Sequence, residues 1–189
     1  MILGDFIHEY KIENYNEINL PVIMYLYELR KQQPANDMVS NRNGWQKNHL
    51  ETFPQLKPLT DLLAVEFERF ICDEMLPLVE TRFYLGNLFC NINPPGAVHV
   101  PHVHQGDFTG VYYLQAPKDC GMLGILNPHQ CPNTARMTSM FAGVKLEQKI
   151  VPTVGTGYFF PTHLVHYVEE NLSQSDRISL SYNINVEPK

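Results

Sequence analysis

Apolar residues recur at helical spacing in two stretches of the first 80 residues. The first stretch covers residues 16–30 and ends before Pro34. The second covers residues 59–75, with Thr60 as a candidate N-cap. Its apolar positions fall on one broad face, which is typical of a helix that packs against a sheet. The pattern therefore predicts mostly helical support over residues 1–80.

From residue 81 onward, short apolar or alternating runs are separated by Gly and Pro, as in an all-β sandwich or barrel. Residues 44–46 and 130–141 are expected to be loops that cover one end of the barrel. The predicted strands cover residues 82–92, 110–115, 121–126, 145–152, 157–161, 166–170 and 177–186. The pattern indicates a mainly β fold with packed helices. We expect a double-stranded β-helix (jelly-roll) core over residues 81–189, preceded by the N-terminal helical segment, in a single domain of residues 1–189.

Composition narrows the class of protein. The 189 residues can bury a core, and 44% hydrophobic with 18% charged residues is typical of a soluble globular protein. A formal net charge of −6 without any basic run argues against duplex nucleic acid as a partner. No signal-peptide pattern and no membrane-spanning apolar run is visible, so we expect a cytoplasmic protein. The cysteines lack metal-site spacing and are expected to be free, buried thiols: Cys72, Cys90, Cys120 and Cys131.

Two histidines, His102 and His104, follow Pro101 and form a candidate metal-binding pair. Proline disfavours helix at the residue before it, and alternate side chains on a strand point to the same face. A third imidazole from a distant strand could complete one face of a metal's coordination sphere and leave positions open for chemistry. His166 is the better third candidate, because a turn is expected to expose His163.

Arg177 and Ser179 form a candidate carboxylate-binding pair on a clear strand. The two-residue period of a strand places Arg177, Ser179 and Ser181 on one face. A guanidinium and a hydroxyl on one face can hold one carboxylate, the arginine bidentately. The alternative is a surface arginine paired with Glu169 or Asp176.

These residues, His102-x-His104, His166 and Arg177-x-Ser179, resemble the iron(II)- and 2-oxoglutarate-dependent oxygenases of the double-stranded β-helix fold. More narrowly, the chain is similar to the 2-oxoglutarate–iron oxygenases of bacteria and marine bacteriophages. The Gly-Val-Tyr-Tyr-Leu sequence and the Arg-x-Ser pair are the more specific parts of this similarity. The matching blocks are residues 44–46, 91–114 and 159–179.

The resemblance implies an enzyme with Fe(II), 2-oxoglutarate as cosubstrate, and O₂. The 2-oxo-acid end of 2-oxoglutarate binds the metal in such enzymes, and its far carboxylate meets the Arg-x-Ser pair. Oxidative decarboxylation to succinate is then coupled to hydroxylation of a substrate C–H bond. His102 and His166 match the family's two histidine ligands, and Asn93 and Tyr113 are expected to line the cosubstrate pocket.

One position departs from the family's motif, which has Asp or Glu two residues after the first histidine ligand. This chain has His104 there. The nearest carboxylate, that of Asp107, would need a bend or bulge to reach the metal. We favour three histidine ligands, His102, His104 and His166, and keep Asp107 as the alternative. A neutral third ligand would leave more positive charge on the iron.

Two other classes stay open. Gly96-x₅-His102-x-His104 is similar to the opening of the cupin motif, and cupins with a three-histidine metal site work without 2-oxoglutarate. The acidic residue that a cupin has a few positions after His104 is missing, and a cupin does not explain Arg177-x-Ser179. The other class is a non-enzymatic jelly-roll binding module.

The substrate is left open between a small molecule and a protein side chain, because fold cannot choose among them. Jelly-roll oxygenases of this kind can pair through helices or sheet edges, so a homodimer is an open expectation.

Overall fold

The computed structural model describes residues 6–37, 39–128, 132–141 and 145–189. In these ranges the strands are β1 (His8–Lys11), β2 (Asn41–Arg42), β3 (Trp45–Lys47), β4 (Thr81–Asn93), β5 (Val98–His102), β6 (Phe108–Gln115), β7 (Leu123–Leu126), β8 (Glu147–Ile150), β9 (Thr156–Pro161), β10 (His166–Val168) and β11 (Arg177–Pro188). They form two antiparallel sheets, one with the order β1-β9-β6-β11-β4-β3 and one with the order β2-β5-β10-β7-β8. The predicted jelly-roll fold with packed helices is confirmed.

Two helices cover the outer face of the six-stranded sheet. They are α1 (Tyr15–Gln32) and α2 (Lys57–Phe70), and α2 continues into a π-helical turn over Ile71–Met75. The buried residues of α2 recur every three or four positions, at Leu59, Leu63, Phe67 and Phe70. This spacing places them on one stripe, which packs on apolar side chains of the sheet.

The start of α2 differs from the prediction. Thr60 is not the N-cap, because a 3₁₀ turn over Pro54–Leu56 leads directly into a helix that begins at Lys57. Thr60 lies inside the first turn, and its hydroxyl donates a hydrogen bond to the carbonyl of Lys57 at 3.1 Å. The proline in this first turn suits a helix start, since its missing N–H would have no partner there.

Both predicted loops contain regular structure. Trp45–Lys47 forms strand β3, which pairs with β4, and the buried Trp45 indole donates a hydrogen bond to the carbonyl of Gln33 at 3.1 Å. Pro132–Met140 forms helix α3, while residues 130 and 131 lie outside the described ranges. The first 80 residues also supply β1 and β2, so this part of the chain adds strands to both sheets.

Cys90 and Cys120 are free and buried, as expected, but Cys72 is exposed. Cys72 lies in the π-helical turn next to the buried Ile71, and its side chain falls off the buried stripe. Cys131 lies outside the described residues. No helix of the described residues is both long and apolar enough to span a bilayer.

Strand β11 separates two different environments. Its residues Ile178, Leu180 and Tyr182 belong to the large apolar core on the helix side. Ser179 and Ser181 point to the other face and line a pocket between the two sheets. A second, smaller apolar cluster, which includes Leu123 and Phe160, fills part of this space. The fold therefore places a polar pocket inside the jelly roll while the helix-side core supplies most of the apolar burial.

Phe67 anchors α2 to the sheet, and its removal tests the helix-side core. Its ring lies 5.1 Å from those of Phe83 and Phe159 and 5.4 Å from that of Phe108. We expect Phe67→Ala to lower the free energy of unfolding by about 3–5 kcal/mol in chemical denaturation, because a large cavity is left. Val65→Ala on the same helix, where the side chain is 42% exposed, should cost less than about 1 kcal/mol. Equal losses for both variants would contradict this packing.

Candidate metal centre and cosubstrate pocket

The antiparallel pairing of β5 with β10 brings two of the candidate ligands together. His102 ends β5, His166 begins β10, and the two residues are direct cross-strand partners. His104 follows two residues after His102, and its backbone N–H donates to the carbonyl of Thr162 at 3.1 Å. The potential ligand atoms of His102, His104 and His166 all lie within 4.8 Å of one another.

The imidazole nitrogens are oriented as a metal site requires. Nδ1 of His102 donates to the carbonyl of Val100 at 2.8 Å, and Nδ1 of His166 donates to that of Leu164 at 2.9 Å. Each Nε2 therefore carries a lone pair. Nε2 of His166 lies 3.1 Å from Nε2 of His104. A metal bonded to two imidazoles at about 2.1 Å holds their nitrogens about 3 Å apart when the bonds meet near a right angle. The donor set fits a transition metal.

Burial keeps these imidazoles neutral. Burial, together with the smaller effects of the neighbouring His102 and His104, lowers the pKa of His166 to about 3. Burial and, to a smaller extent, the neighbouring His102 lower the pKa of His104 to about 4. The pKa of His102 is also lowered, again by burial, although its hydrogen bond to the Val100 carbonyl acts in the opposite direction. Neutral imidazole is the form that binds a metal, so the rings are ready to bind near neutral pH.

Asp107, the alternative third ligand, is engaged elsewhere. Its Oδ2 accepts a hydrogen bond from the backbone N–H of Val186 at 2.8 Å. Its own backbone N–H donates to the carbonyl of Ile184 at 3.0 Å, so both ends of the residue are tied to β11. Among the described residues, the cluster of potential ligand atoms contains the three histidines and not Asp107.

Arg177 is buried beside the histidines, with 1% of its surface exposed. Its Nη1 donates to the backbone carbonyls of Cys120 and Glu169. Its Nη2 is also buried and has no hydrogen-bond partner in the described part of the chain. Burial lowers the pKa of Arg177, but a guanidinium remains charged near neutral pH. A buried charged donor without an acceptor is unfavourable, and a ligand carboxylate would satisfy it.

The surface-arginine alternative does not match this arrangement. The described contact of Arg177 with Glu169 goes to the backbone carbonyl and not to the carboxylate. Asp176 accepts a hydrogen bond from the Tyr27 hydroxyl at 2.9 Å and lies 3.8 Å from Arg30.

One pocket between the sheets contains the three histidines, Arg177, Ser179 and Tyr113. The structure thus brings together all but one of the predicted site residues. The exception, Asn93, is fully buried outside this lining and binds the side chains of Asn41 and His99. The other residues that line the pocket are Phe89, Asn91, His99, Thr109, Gly110, Val111, Leu123, Phe160, Val168 and Ser181.

His99 is a buried residue that the sequence did not single out. His99 and His102 are three residues apart, and their cross-strand partners Val168 and His166 are two apart. This bulge breaks the two-residue period of β5 and lets both histidines line the pocket. The cluster of histidines between residues 99 and 166 was the only sequence signal that could have indicated it.

A buried polar network connects His102 to the neighbouring strands. Nε2 of His102 lies 3.3 Å from the Ser40 hydroxyl oxygen, which lies 3.1 Å from Nδ1 of His99. Nε2 of His99 lies 3.1 Å from Oδ1 of Asn93, and Nδ2 of Asn93 donates to Oδ1 of Asn41 at 2.9 Å. Gly44 lies against this last hydrogen bond. A Cβ there would be 2.4 Å from the Asn41 oxygen and 2.5 Å from the Asn93 nitrogen, so the network requires glycine.

Known protein structures share this fold at low sequence identity. A Pseudomonas putida prolyl-4-hydroxylase aligns with a TM-score of 0.62 at 13% identity, covering 93% of this chain and 90% of that one. The viral collagen prolyl hydroxylase of Paramecium Bursaria Chlorella virus-1, in complex with 2-oxoglutarate, aligns with a TM-score of 0.59 at 17% identity, covering 93% and 94%. A Trichoplax adhaerens prolyl hydroxylase, in complex with a hypoxia inducible factor peptide fragment, gives 0.64 at 16% identity, covering 96% and 84%. At such identities the likeness shows the fold alone.

The sequence itself identifies the family. Residues 87–183 match the family described as "Putative 2OG-Fe(II) oxygenase". No curated protein sequence matches significantly. The matched range covers half of the chain and includes all three clustered histidines together with Arg177 and Ser179. The chain therefore belongs to the family of non-haem iron oxygenases that depend on 2-oxoglutarate.

Proposed function

We propose that His102, His104 and His166 hold the iron, and that Arg177 and Ser179 hold the far carboxylate of 2-oxoglutarate for hydroxylation of an organic substrate. The observation that carries this proposal is the buried Nη2 of Arg177, which has no partner among the residues that the structure describes and lies in the same pocket as the three imidazoles. When bound, Fe(II), 2-oxoglutarate and O₂ would supply the oxidising chemistry.

The charge of the pocket supports an anionic cosubstrate. None of the described residues that line it is acidic, and its three metal-site imidazoles are neutral. A divalent metal and Arg177 would therefore make the pocket strongly positive, which favours a dicarboxylate. Tyr113, Leu123 and Phe160 contribute buried apolar surface to the wall, which excludes water and strengthens these interactions.

The two competing classes leave features of the pocket unexplained. A cupin that works without 2-oxoglutarate would have no use for a buried guanidinium beside the metal site. A non-enzymatic module would keep three neutral imidazoles buried together with a charged donor that has no partner in the described part of the chain, and it would have no ligand to satisfy them. We also propose that residues 1–189 act as one oxygenase domain, because Ser40 and Asn41 from the N-terminal part contact the side chains around His102.

The function can be tested with anaerobically purified protein. We expect the Mn(II)-loaded protein to bind 2-oxoglutarate in calorimetry, and the Fe(II)-loaded protein to form succinate once O₂ is admitted. Metal binding without 2-oxoglutarate binding or succinate would support the cupin alternative. Absent metal binding, together with a melting temperature that Fe(II) and Mn(II) leave unchanged, would support the non-enzymatic module. Peptides and small molecules should both be screened as substrates, since one structural relative binds a peptide.

Variants of Asp107 and His104 test which of these two residues is the third metal ligand. We expect Asp107→Ala to leave the dissociation constant for Mn(II) within about threefold, because its carboxylate binds Val186. His104→Ala should weaken Mn(II) binding by more than about 100-fold, whereas His104→Asp should retain it, since the carboxylate restores a ligand. Loss of Mn(II) in Asp107→Ala, with retention in His104→Ala, would show that Asp107 is the ligand.

A further inference from the structure

We infer that His99 is a positioning residue of the metal site. Its Nδ1 accepts the hydrogen bond that the Ser40 hydroxyl donates, and this leaves the Nε2 lone pair of His102 available to the metal. This inference rests on the metal ligands proposed above. It concerns a residue outside the cluster of metal ligands, and it assigns a role to Ser40, Asn41 and Asn93 as well.

The direction of each hydrogen bond in the network starts from two asparagines. Nδ2 of Asn93 donates to Oδ1 of Asn41, which leaves Oδ1 of Asn93 to face Nε2 of His99 at 3.1 Å. An amide oxygen can only accept, so Nε2 of His99 carries a hydrogen. Because a neutral imidazole has one N–H, Nδ1 of His99 is an acceptor. Asn41 supports this amide orientation, since its own Nδ2 faces Oδ1 of Asn91 at 3.4 Å.

Ser40 then lies between two acceptors but has one proton. Its oxygen is 3.1 Å from Nδ1 of His99 and 3.3 Å from Nε2 of His102. Nε2 of His102 is also an acceptor, because its Nδ1 donates to the carbonyl of Val100. If the hydroxyl pointed to His102, it would occupy the lone pair that the metal needs. His99 offers the hydroxyl proton of Ser40 a nearer acceptor. The hydrogen bond of Ser40 and metal binding by His102 therefore no longer compete for the same lone pair.

The backbone fixes the atoms of this network. Asn41 on β2 pairs with His99 on β5, and the N–H of Val100 donates to the carbonyl of Ser40 at 3.0 Å. Ser40, Asn41, Asn93 and His99 are all buried, each with at most 8% of its surface exposed. Solvent is therefore poorly placed to replace a lost partner of Ser40. Loss of the acceptor on His99 should direct the Ser40 hydrogen bond to Nε2 of His102.

A double-mutant cycle tests the inference, with anaerobic Mn(II) binding as the measurement. We expect His99→Met to weaken Mn(II) binding by about tenfold, because the Ser40 proton is then left to His102. The Mn(II) affinity of Ser40→Ala should stay within about threefold of that of the wild type, because no hydroxyl proton then competes with the metal for Nε2 of His102. The double variant Ser40→Ala/His99→Met should bind like Ser40→Ala, so that removing the hydroxyl rescues the loss. His99→Gln, whose amide offers an acceptor oxygen for the Ser40 hydroxyl and a donor nitrogen for Oδ1 of Asn93, should retain Mn(II) binding.

A second measurement separates positioning from general damage. We expect the visible absorption of the Co(II)-loaded protein, which reports the ligand set, to change in His99→Met and to return in the double variant. The melting temperature of the metal-free protein checks folding, and His49→Met, at a side chain that is 79% exposed, is the matched control. If His99→Met does not fold, His99→Leu takes its place, because its side chain likewise offers no acceptor to Ser40.

Three outcomes would overturn the inference. Undiminished Mn(II) binding in His99→Met would show that His99 does not position the site. An equal loss with and without the Ser40 hydroxyl would show that His99 acts through packing alone. A wild-type protein that binds no Mn(II) or Co(II) at all would overturn the proposed function itself, and with it this inference.

Discussion

Replacement of His166 by alanine is expected to abolish metal binding and turnover together while the protein stays folded. His166 contributes one of three clustered imidazoles, and its Nε2 lies 3.1 Å from that of His104. Two remaining imidazoles cannot retain a divalent metal as three do, so the dissociation constant for Mn(II) should rise by more than about 100-fold, beyond the usual effect of an outer-shell change. Metal content after anaerobic loading and succinate formation are the two measurements.

His163→Ala provides the matched control for this loss. His163 lies three residues earlier in the same segment, and its side chain is exposed. We expect this variant to bind Mn(II) and to form succinate like the wild type. Full metal retention in His166→Ala, even with turnover lost, would refute His166 as a ligand and would require a different metal site.

Replacement of Arg177 by methionine is expected to remove 2-oxoglutarate binding while the metal stays bound. The buried Nη2 of Arg177 has no partner among the described residues, and the far carboxylate would be that partner. Charge-assisted hydrogen bonds contribute about 1.5–3 kcal/mol each. Nη2 carries two N–H groups, which can donate two such bonds to the carboxylate. Their loss predicts a rise of at least about 100-fold in the dissociation constant for 2-oxoglutarate, measured by calorimetry on Mn(II)-loaded protein.

Stability must be followed in the same experiment. Arg177 also donates to the carbonyls of Cys120 and Glu169, so its loss should lower the melting temperature. Mn(II) affinity within about threefold of the wild type would show that the metal site survives. Arg82→Met, at an exposed arginine that pairs with Glu187, should change neither affinity. Unchanged 2-oxoglutarate affinity in Arg177→Met would contradict the proposed carboxylate site.

The fold was predictable where an element is long enough to show its period. Helices α1 and α2 and strand β11 each extend over 12 or more residues, and their apolar positions repeat visibly. Strands β2 and β3 have two and three residues, too few for alternation to be recognised. Helix α3 carries few apolar residues in the sequence PNTARMTSM, so no stripe distinguishes it from a loop.

The candidate site was predictable where the residue type alone is chemically specific. Imidazoles at alternate positions, and an arginine with a serine two residues later, indicate metal and carboxylate binding from the sequence. The role of Asn93 was not predictable in this way, because its partner Asn41 is 52 residues away on another strand. His99 was hidden for a different reason, since a bulge in β5 breaks the period on which a facing argument depends.

The central position of β11 has a consequence for how the protein is made. β11 lies between β4 and β6 in the larger sheet, and about 60 residues separate β6 from it along the chain. At roughly 5–20 residues per second, a ribosome takes several seconds to translate that interval. During this time β4 and β6 present unpaired edges, which are open to non-native pairing. Nascent chains stalled before Arg177 should therefore be the species that chaperones bind and proteases cut, and resistance to proteolysis should begin only when β11 emerges.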